Sequence, residues 1–239
     1  SGDARALARA NLTYGHGTLD DAEEALVLVA HALGLSLARV DTVPRDKPVS
    51  AAACAKAMAL IAARIKTRRP AAYLTGEAWL QGLRFRVDDR VIVPRSFIAE
   101  LLVEELAPWI DPTQPVRNAL DLCTGSGCLA VLLAKIFRQA RVDAVDLSAA
   151  ALEVARQNLV LHRLTKRIRL LESDLFSALD GKRYDLIISN PPYVTAATMR
   201  RLPPEYRREP AMALAGGDDG FELVDVILRS EEHTSELQS

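Results

Sequence analysis

The sequence predicts an α/β fold, a parallel sheet wound by helices, preceded by a smaller helical region. Three observations carry this. From Val116 onward, apolar runs of strand length alternate with segments of helix length, the rhythm of strand–helix–strand units. The strand-like runs lead into polar residues (Cys123-Thr124, Asp146, Glu172-Ser173-Asp174, Asn190), which places polar chemistry along one edge of the sheet. Before Tyr73, the apolar residues instead recur at helical spacing.

The helical region runs from Ser1 to about Ala72. Leu26, Val27, Val29, Ala30 and Leu33 are expected to form the apolar face of one helix, with Gly34 where it stops. A second, alanine-rich helix is expected from about Ser50 to Thr67, capped by Ser50, with Met58, Ile61 and Ile65 facing inward and Pro70 beyond its end. Gly15-His16-Gly17-Thr18 reads as a loop before the first strong helix, and a histidine so placed is more often structural than ligand-binding. Tyr73 to Pro94 changes character. Leu83, Phe85 and Val87 alternate, Asp88-Asp89 suggests a turn and Val91-Ile92-Val93 follows, so a β-hairpin around that turn is expected.

Phe97 to Ile110 is expected to be helical, and Asp111 to Pro115 a loop. The sheet strands follow as Asn118–Leu122, Arg141–Val145, Ile168–Leu171 and Tyr184–Ser189, with helices at Ser126–Phe137 and Ala149–Leu161. The expected division is therefore 1–72 helical recognition domain, 73–94 linker and 95–228 α/β domain, with 229–239 set apart below.

Composition excludes some functions. The chain has 239 residues, 49% hydrophobic and 26% charged, as in an ordinary globular protein. Thirty basic against thirty-one acidic residues argue against a chain built to wrap nucleic acid, so no direct DNA binding is expected. Cys54, Cys123 and Cys128 are too few for a disulfide framework and lack the partners of a zinc site, so no metal is expected. With no signal-peptide pattern and no apolar run of about 18 residues, the expected location is the cytoplasm, with no membrane partner.

The stretch Leu120 to Cys128 has the form of a nucleotide-cofactor loop. Its glycines let backbone approach a ligand, and the following helix opens with free N–H groups. Asp146 stands about 20 residues beyond the loop, where a carboxylate can accept ribose hydroxyl protons, and Asp174 is placed to meet an adenine amine. A dinucleotide reading survives on the loop alone, because Ala130 stands where the third glycine of G-x-G-x-x-G would be and alanine is tolerated there. The corner Asn190-Pro191-Pro192-Tyr193 turns the reading to methyl transfer. The Asn190 side-chain carbonyl and the Pro191 backbone carbonyl can converge on both hydrogens of a planar NH2 group, and Tyr193 can stack on it. Such a nitrogen is a poor nucleophile, so alignment with an activated methyl carries most of the catalysis.

On these residues the chain resembles the N(5)-glutamine protein methyltransferases, which use S-adenosylmethionine. The resemblance runs from about Tyr14 to Leu228. Its most specific stretches are Gly15 to Thr18, Ala72 to Trp79, Val93 to Ser96, Leu120 to Cys128 and Asn190 to Val194. Pro94-Arg95-Ser96 and Cys123-Thr124-Gly125-Ser126-Gly127 favour the branch that modifies a glutamine of ribosomal protein L-three over the release-factor branch. The resemblance implies a Rossmann-like methyltransferase domain after an N-terminal helical domain. It implies that Cys123, Thr124, Gly125, Ser126 and Gly127 line the methionine part of the cofactor. Asp146 would hold the ribose, Asp174 and Leu175 would border the adenine, and Asn190 would also touch the cofactor. Asn190, Pro191, Pro192 and Tyr193 would hold the substrate glutamine, with Asn190, Pro191 and Tyr193 as the catalytic set. Relatives often carry Trp at Leu175 and a proline at Phe97. Glu209-Pro210 and Ala215 to Gly220 match the family's loop after the corner and would shape the substrate channel.

The resemblance ends at Leu228, and Arg229 to Ser239 reads as a translated sequencing adapter, a non-native tail. The family's sheet would continue with about three more strands, so the fourth strand is expected to be an exposed edge open to self-association. Three rivals stay open: methylation of a release-factor glutamine, methylation of a DNA base amine, and a non-catalytic module that binds cofactor and a ribosomal partner.

Overall fold

The computed structural model describes residues 2–37, 40, 48–104, 106, 109–111 and 113–235. Helices α1 (Gly2–Arg9), α2 (Asp21–Ala32) and α3 (Ala51–Thr67) form the N-terminal layer, and α4 (Ala71–Thr75) crosses the boundary expected at residue 72. Local chemistry fixes their ends. The Asp20 carboxylate accepts the Ala22 and Glu23 N–H groups at 2.9 and 2.8 Å, and Glu23 reaches back to the Leu19 N–H at 2.7 Å. Ser50 caps α3 as expected, accepting from Ala53 N at 3.2 Å, and Arg68 closes that helix with φ 58°. The inward faces match the expectation in part, with Ala30 and Ile61 buried as expected. Ala25, Leu28 and Ile61 are buried together, whereas Leu26 is exposed and Met58 is 67% exposed. Helical spacing aligns Ala25 with Leu28, and the α3 face that meets them carries Ala57, Ile61 and Arg64.

The hairpin lies earlier than expected. Strands β1 (Glu77–Leu80) and β2 (Leu83–Arg86) pair antiparallel around Gln81-Gly82. Both turn residues have positive φ, 48° and 72°, the requirement of a tight two-residue turn whose twist matches the strands. Val91 and Val93 form no strand and are buried instead against Tyr73, Val87 and Val154. The Asp88-Asp89 turn is used by Arg90, whose guanidinium and backbone N–H both bond the Asp88 carboxylate.

Helix α5 (Phe97–Val103) stops well short of Ile110. Glu104 caps it and Leu106 takes φ 55°, ahead of the helix-breaking Pro108 in the sequence. Then come β3 (Asn118–Leu122), α6 (Cys128–Ile136), β4 (Arg141–Asp146), α7 (Ala149–Leu161), β5 (Ile168–Glu172) and β6 (Leu186–Ser189). Strand β6 is shorter than expected because the Asp185 carboxylate turns away to accept the Arg117 and Asn118 N–H groups, each at 2.8 Å. The four strands are parallel in the order β5-β4-β3-β6. Period-2 alternation splits the strands between two cores. Ala119, Val142, Ala144 and Ile188 join α6, apolar but for Lys135, and Leu120, Leu122 and Val145 pack with Leu179 and Ile227. Among the described strands β6 pairs on one side only, with β3, and so forms an edge. Helix α8 (Ala196–Met199) and two short 3-10 turns, Tyr206–Arg208 and Ala211–Ala213, lead to α9 (Glu222–Ser235). The tail read as non-native thus continues α9 through Ser235, and 236–239 lie outside the described residues. No helix among the described residues is long and apolar enough to cross a membrane.

Candidate active-site cleft

The chain passes from β3 to β4 on one side and returns through β6 on the other, so the direction of winding reverses between β3 and β6. Crevices at such a reversal, beyond the carboxyl ends of the strands, are where open α/β sheets bind ligands. The loop after β3 is built for this position. Cys123 takes φ 58°, and the Thr124 N–H crosses to the Val145 carbonyl at 2.9 Å. Asp121 lies beneath, fully buried, with one carboxylate oxygen accepting both the Thr124 hydroxyl at 2.6 Å and the Ala130 N–H at 3.0 Å. Its other oxygen has no partner. Burial pushes the Asp121 carboxyl up to about 7, against those two hydrogen bonds, with the nearby Asp146 charge adding to the rise. The acid at the end of β3 therefore buttresses the loop, a role the sequence reading did not assign to it.

Asp146, at the end of β4, accepts Gly125 N–H at 2.8 Å on one oxygen and Ser148 N–H at 2.9 Å on the other. Burial raises its carboxyl above the ordinary value, and those backbone bonds pull against it. One acid thus orients the loop and positions Ser148, the N-cap of α7, while each oxygen keeps a lone pair for a ligand. Asn158, buried on α7, donates to Ser126 O at 2.9 Å and exchanges two bonds with the Arg86 backbone. It ties the loop to the hairpin.

Cys123, Thr124, Gly125, Ser126, Asp146, Asp174, Leu175, Asn190 and Pro192 all line one cleft. Three expected site residues do not line it. Gly127 faces α7, where an added Cβ would stand 3.1 Å from the Ala155 Cβ, so it serves helix packing at φ 76°. Pro191 and Tyr193 lie outside the lining, and the Tyr193 ring is 63% exposed. The cleft also takes in Pro94, Arg95 and Ser96, Leu147 beside Asp146, and Pro210, Met212 and Ala213 from the segment after the corner. Leu147 carried no sequence signal: an exposed leucine gains meaning only from the cleft it borders. His16 lies away from this lining, buried against Glu209 and Tyr206.

The corner is braced from behind. Val194 N–H donates to Leu214 O at 2.8 Å and Gly216 N–H donates to Val194 O at 2.9 Å. A Cβ on Gly216 would fall 2.6 Å from the Tyr193 Cα, so only glycine fits there. No hydrogen bond among the described residues engages the Asn190 side chain, which leaves its amide available to a ligand. Burial raises Cys123 and Cys128 to about 12, which makes both thiols inert as nucleophiles. Among the described residues no group of three or more His, Cys, Asp or Glu side chains could hold a metal ion.

A planar NH2 group entering this cleft would meet Asn190 and the adjoining backbone, on the side across from Asp146. The residues also fit an adenosyl cofactor. Nothing stands within 4 Å of where a Gly125 Cβ would lie, so bare backbone faces the cleft, with Asp146 and Asp174 at successive strand ends.

Comparison with known proteins bears on both halves. Residues 98–202 match the methyltransferase small domain family and residues 3–76 match the PrmC N-terminal domain family. The ribosomal protein uL3 glutamine methyltransferase of Bordetella pertussis is 53% identical over 223 residues, covering 93% of this chain and 74% of that protein. The protein of the same name from Burkholderia pseudomallei is 48% identical over 229 residues, with 93% and 74% covered. Among solved structures, the hMettl16 catalytic domain in complex with MAT2A 3′UTR hairpin 1 aligns with a TM-score of 0.48 at 17% identity, covering 72% of this chain and 59% of that one.

Proposed function

The chain belongs to the ribosomal protein uL3 glutamine methyltransferase family, and from that premise we propose that it methylates the side-chain amide nitrogen of a glutamine in the large-subunit ribosomal protein uL3. The single observation that carries the mechanism is the Asn190 amide, unengaged among the described residues and lining the same cleft as Asp146 and Asp174. S-Adenosylmethionine supplies the methyl group, made electrophilic by its sulfonium. Asp146 would hold the ribose with the lone pairs its backbone bonds leave free. Asp174 and Leu175 would border the adenine, and Cys123 to Ser126 the methionyl chain. The Asn190 side-chain carbonyl in the cleft and the Pro191 backbone carbonyl beside it, just outside the lining, would accept the two amide hydrogens of the substrate glutamine and fix the NH2 plane. Tyr193 covers the flat amide from its exposed position at the rim. No histidine or carboxylate general base is assigned at the corner. Alignment therefore supplies most of the acceleration.

In this reading 1–72 recognise the substrate, 73–94 link, and 95–228 carry the transfer. The reaction belongs in the cytoplasm, where ribosomal proteins are made. The open edge of β6 is a self-pairing surface. Sedimentation velocity should then show a dimer fraction rising with concentration, and a chain that stays monomeric at the highest soluble concentration would remove that part.

The test of function is methyl-label transfer from S-adenosylmethionine to unmethylated uL3, release factor and DNA in parallel. Label should appear on one uL3 glutamine and on neither alternative. Asn190→Ala should lower kcat by about a hundredfold or more while the cofactor Kd moves by less than about threefold. Full turnover in that variant would take the amide-clamping role away from the corner.

A further inference from the structure

Glu205 and Glu209 are buried, and they stand on the segment that braces the corner. We propose that they are positioning residues. They fasten the segment 205–217 to the N-terminal layer and to the Val93–Arg95 stretch, and through that segment they set the Asn190–Tyr193 corner for the incoming amide. This rests on the corner reading above.

The fastening is explicit. One Glu205 oxygen accepts from Arg68 Nη1 at 2.9 Å and from Thr13 N–H at 3.2 Å, with Arg64 Nη1 at 3.5 Å. Arg64, fully buried on α3, is held in turn by Glu24 at 2.9 Å and by the Thr13 carbonyl at 3.1 Å. Four residues on, Glu209 takes both Arg95 nitrogens at 2.6 Å and the Val93 N–H at 2.9 Å, with His16 Nε2 at 3.6 Å. Burial pushes the Glu209 carboxyl up, but the His16 ring and the Arg95 guanidinium outweigh it and hold the group at about 2, so it stays charged. Between the two acids, Tyr206 lies against the His16 ring, with centroids 4.2 Å apart, and under the Arg95 guanidinium. A Cβ at Gly15 would come within 2.8 Å of the Tyr206 hydroxyl, so the N-terminal loop approaches this segment as closely as glycine allows.

Beyond Glu209 the same segment borders the cleft with Pro210, Met212 and Ala213, and then bonds Val194 on both sides. The path from a buried ion pair to the corner is thus a short stretch of chain closed by two backbone hydrogen bonds to Val194. Buried carboxylates tolerate little displacement, because leaving their partners exposes an unpaired charge to a low-dielectric interior. The anchored end therefore has one register. A reaction driven by alignment is sensitive to that register, since a shift of about 1 Å can cost on the order of a hundredfold in rate.

The test pairs Glu205→Ala with the conservative Glu205→Gln, which keeps an oxygen for Thr13 and Arg68. Hydrogen exchange at Val194 and Gly216 reports the anchor without reference to any substrate, and label transfer to uL3 reports catalysis. For Glu205→Ala, exchange at both amides should accelerate about tenfold or more and kcat should fall by a similar factor. The Kd for S-adenosylmethionine should stay within about twofold, and Glu205→Gln should recover most of both losses. Should Glu205→Ala fold poorly, Arg68→Met removes the same bond from a partly exposed position and should shift both readouts in the same direction. Exchange and kcat equal to the parent in the folded variants would overturn the anchor, as would loss of cofactor affinity in step with kcat. A parent silent on uL3, with exchange still accelerated in the variants, would instead support the anchor and reject the substrate reading.

Discussion

Replacing Asp121 by asparagine isolates what burial of this acid costs the fold. The carboxyl is fully buried and burial raises it from an ordinary 3.8 to about 7. The folded chain therefore holds the proton more tightly than the unfolded chain. Its contribution is most favourable below about pH 3.8, is lost progressively as pH rises, and is flat above about 7. With those two values the stability lost to Asp121 is on the order of 2 kcal/mol at pH 5 and on the order of 4 kcal/mol at pH 8. Asparagine does not titrate. Thr124 and Ala130 both donate to a single oxygen of Asp121, so the asparagine carbonyl can keep both bonds and its NH2 occupies the unpaired side. Any fixed cost of that NH2 cancels in a pH comparison. Urea denaturation of parent and variant across this range should show the variant gaining roughly 2 to 3 kcal/mol relative to the parent between pH 5 and pH 8. Parallel stability curves would refute the reasoning, because they would mean the Asp121 charge is compensated inside the fold.

Two further outcomes test the buried charges and the thiols. Arg64→Met leaves the buried Glu24 and Glu205 without their shared cation and should destabilise the chain by about 3 kcal/mol in urea, with Glu24→Gln restoring part of that in the double variant. Additive losses in the two single variants would dissolve the network. Iodoacetamide at pH 8 should modify the exposed Cys54 on the order of a hundredfold faster than Cys123 and Cys128, whose thiols burial raises to about 12. Cys123 labelled as fast as Cys54 would show the loop to be far more open than its hydrogen bonds allow.

The sequence by itself determined the elements whose signals are local. Asn118–Leu122 and Ala149–Leu161 were read to the residue, since a short strand running into a glycine loop leaves little choice of ends and Ser148 caps the helix that begins at Ala149. The chemistry was legible too, because a glycine loop, acids after successive strands and an Asn-Pro-Pro-Tyr corner are residue types at fixed spacing. Tertiary structure decided what depends on partners distant in the chain. The hairpin turned at Gln81-Gly82 because Val91 and Val93 found burial against Tyr73 and α7, a choice alternation cannot rank. Asp185 shortened the last strand by bonding backbone 67 and 68 residues away. Gly127, named for a cofactor, serves the approach of α7, while Asp121, named for nothing, holds the loop. The pairing of Arg64 with Glu205 spans two halves of the chain, and no periodicity records it. A buried charge is stable only beside its partner, and which partner that is becomes fixed when the helical layer meets the segment after the corner.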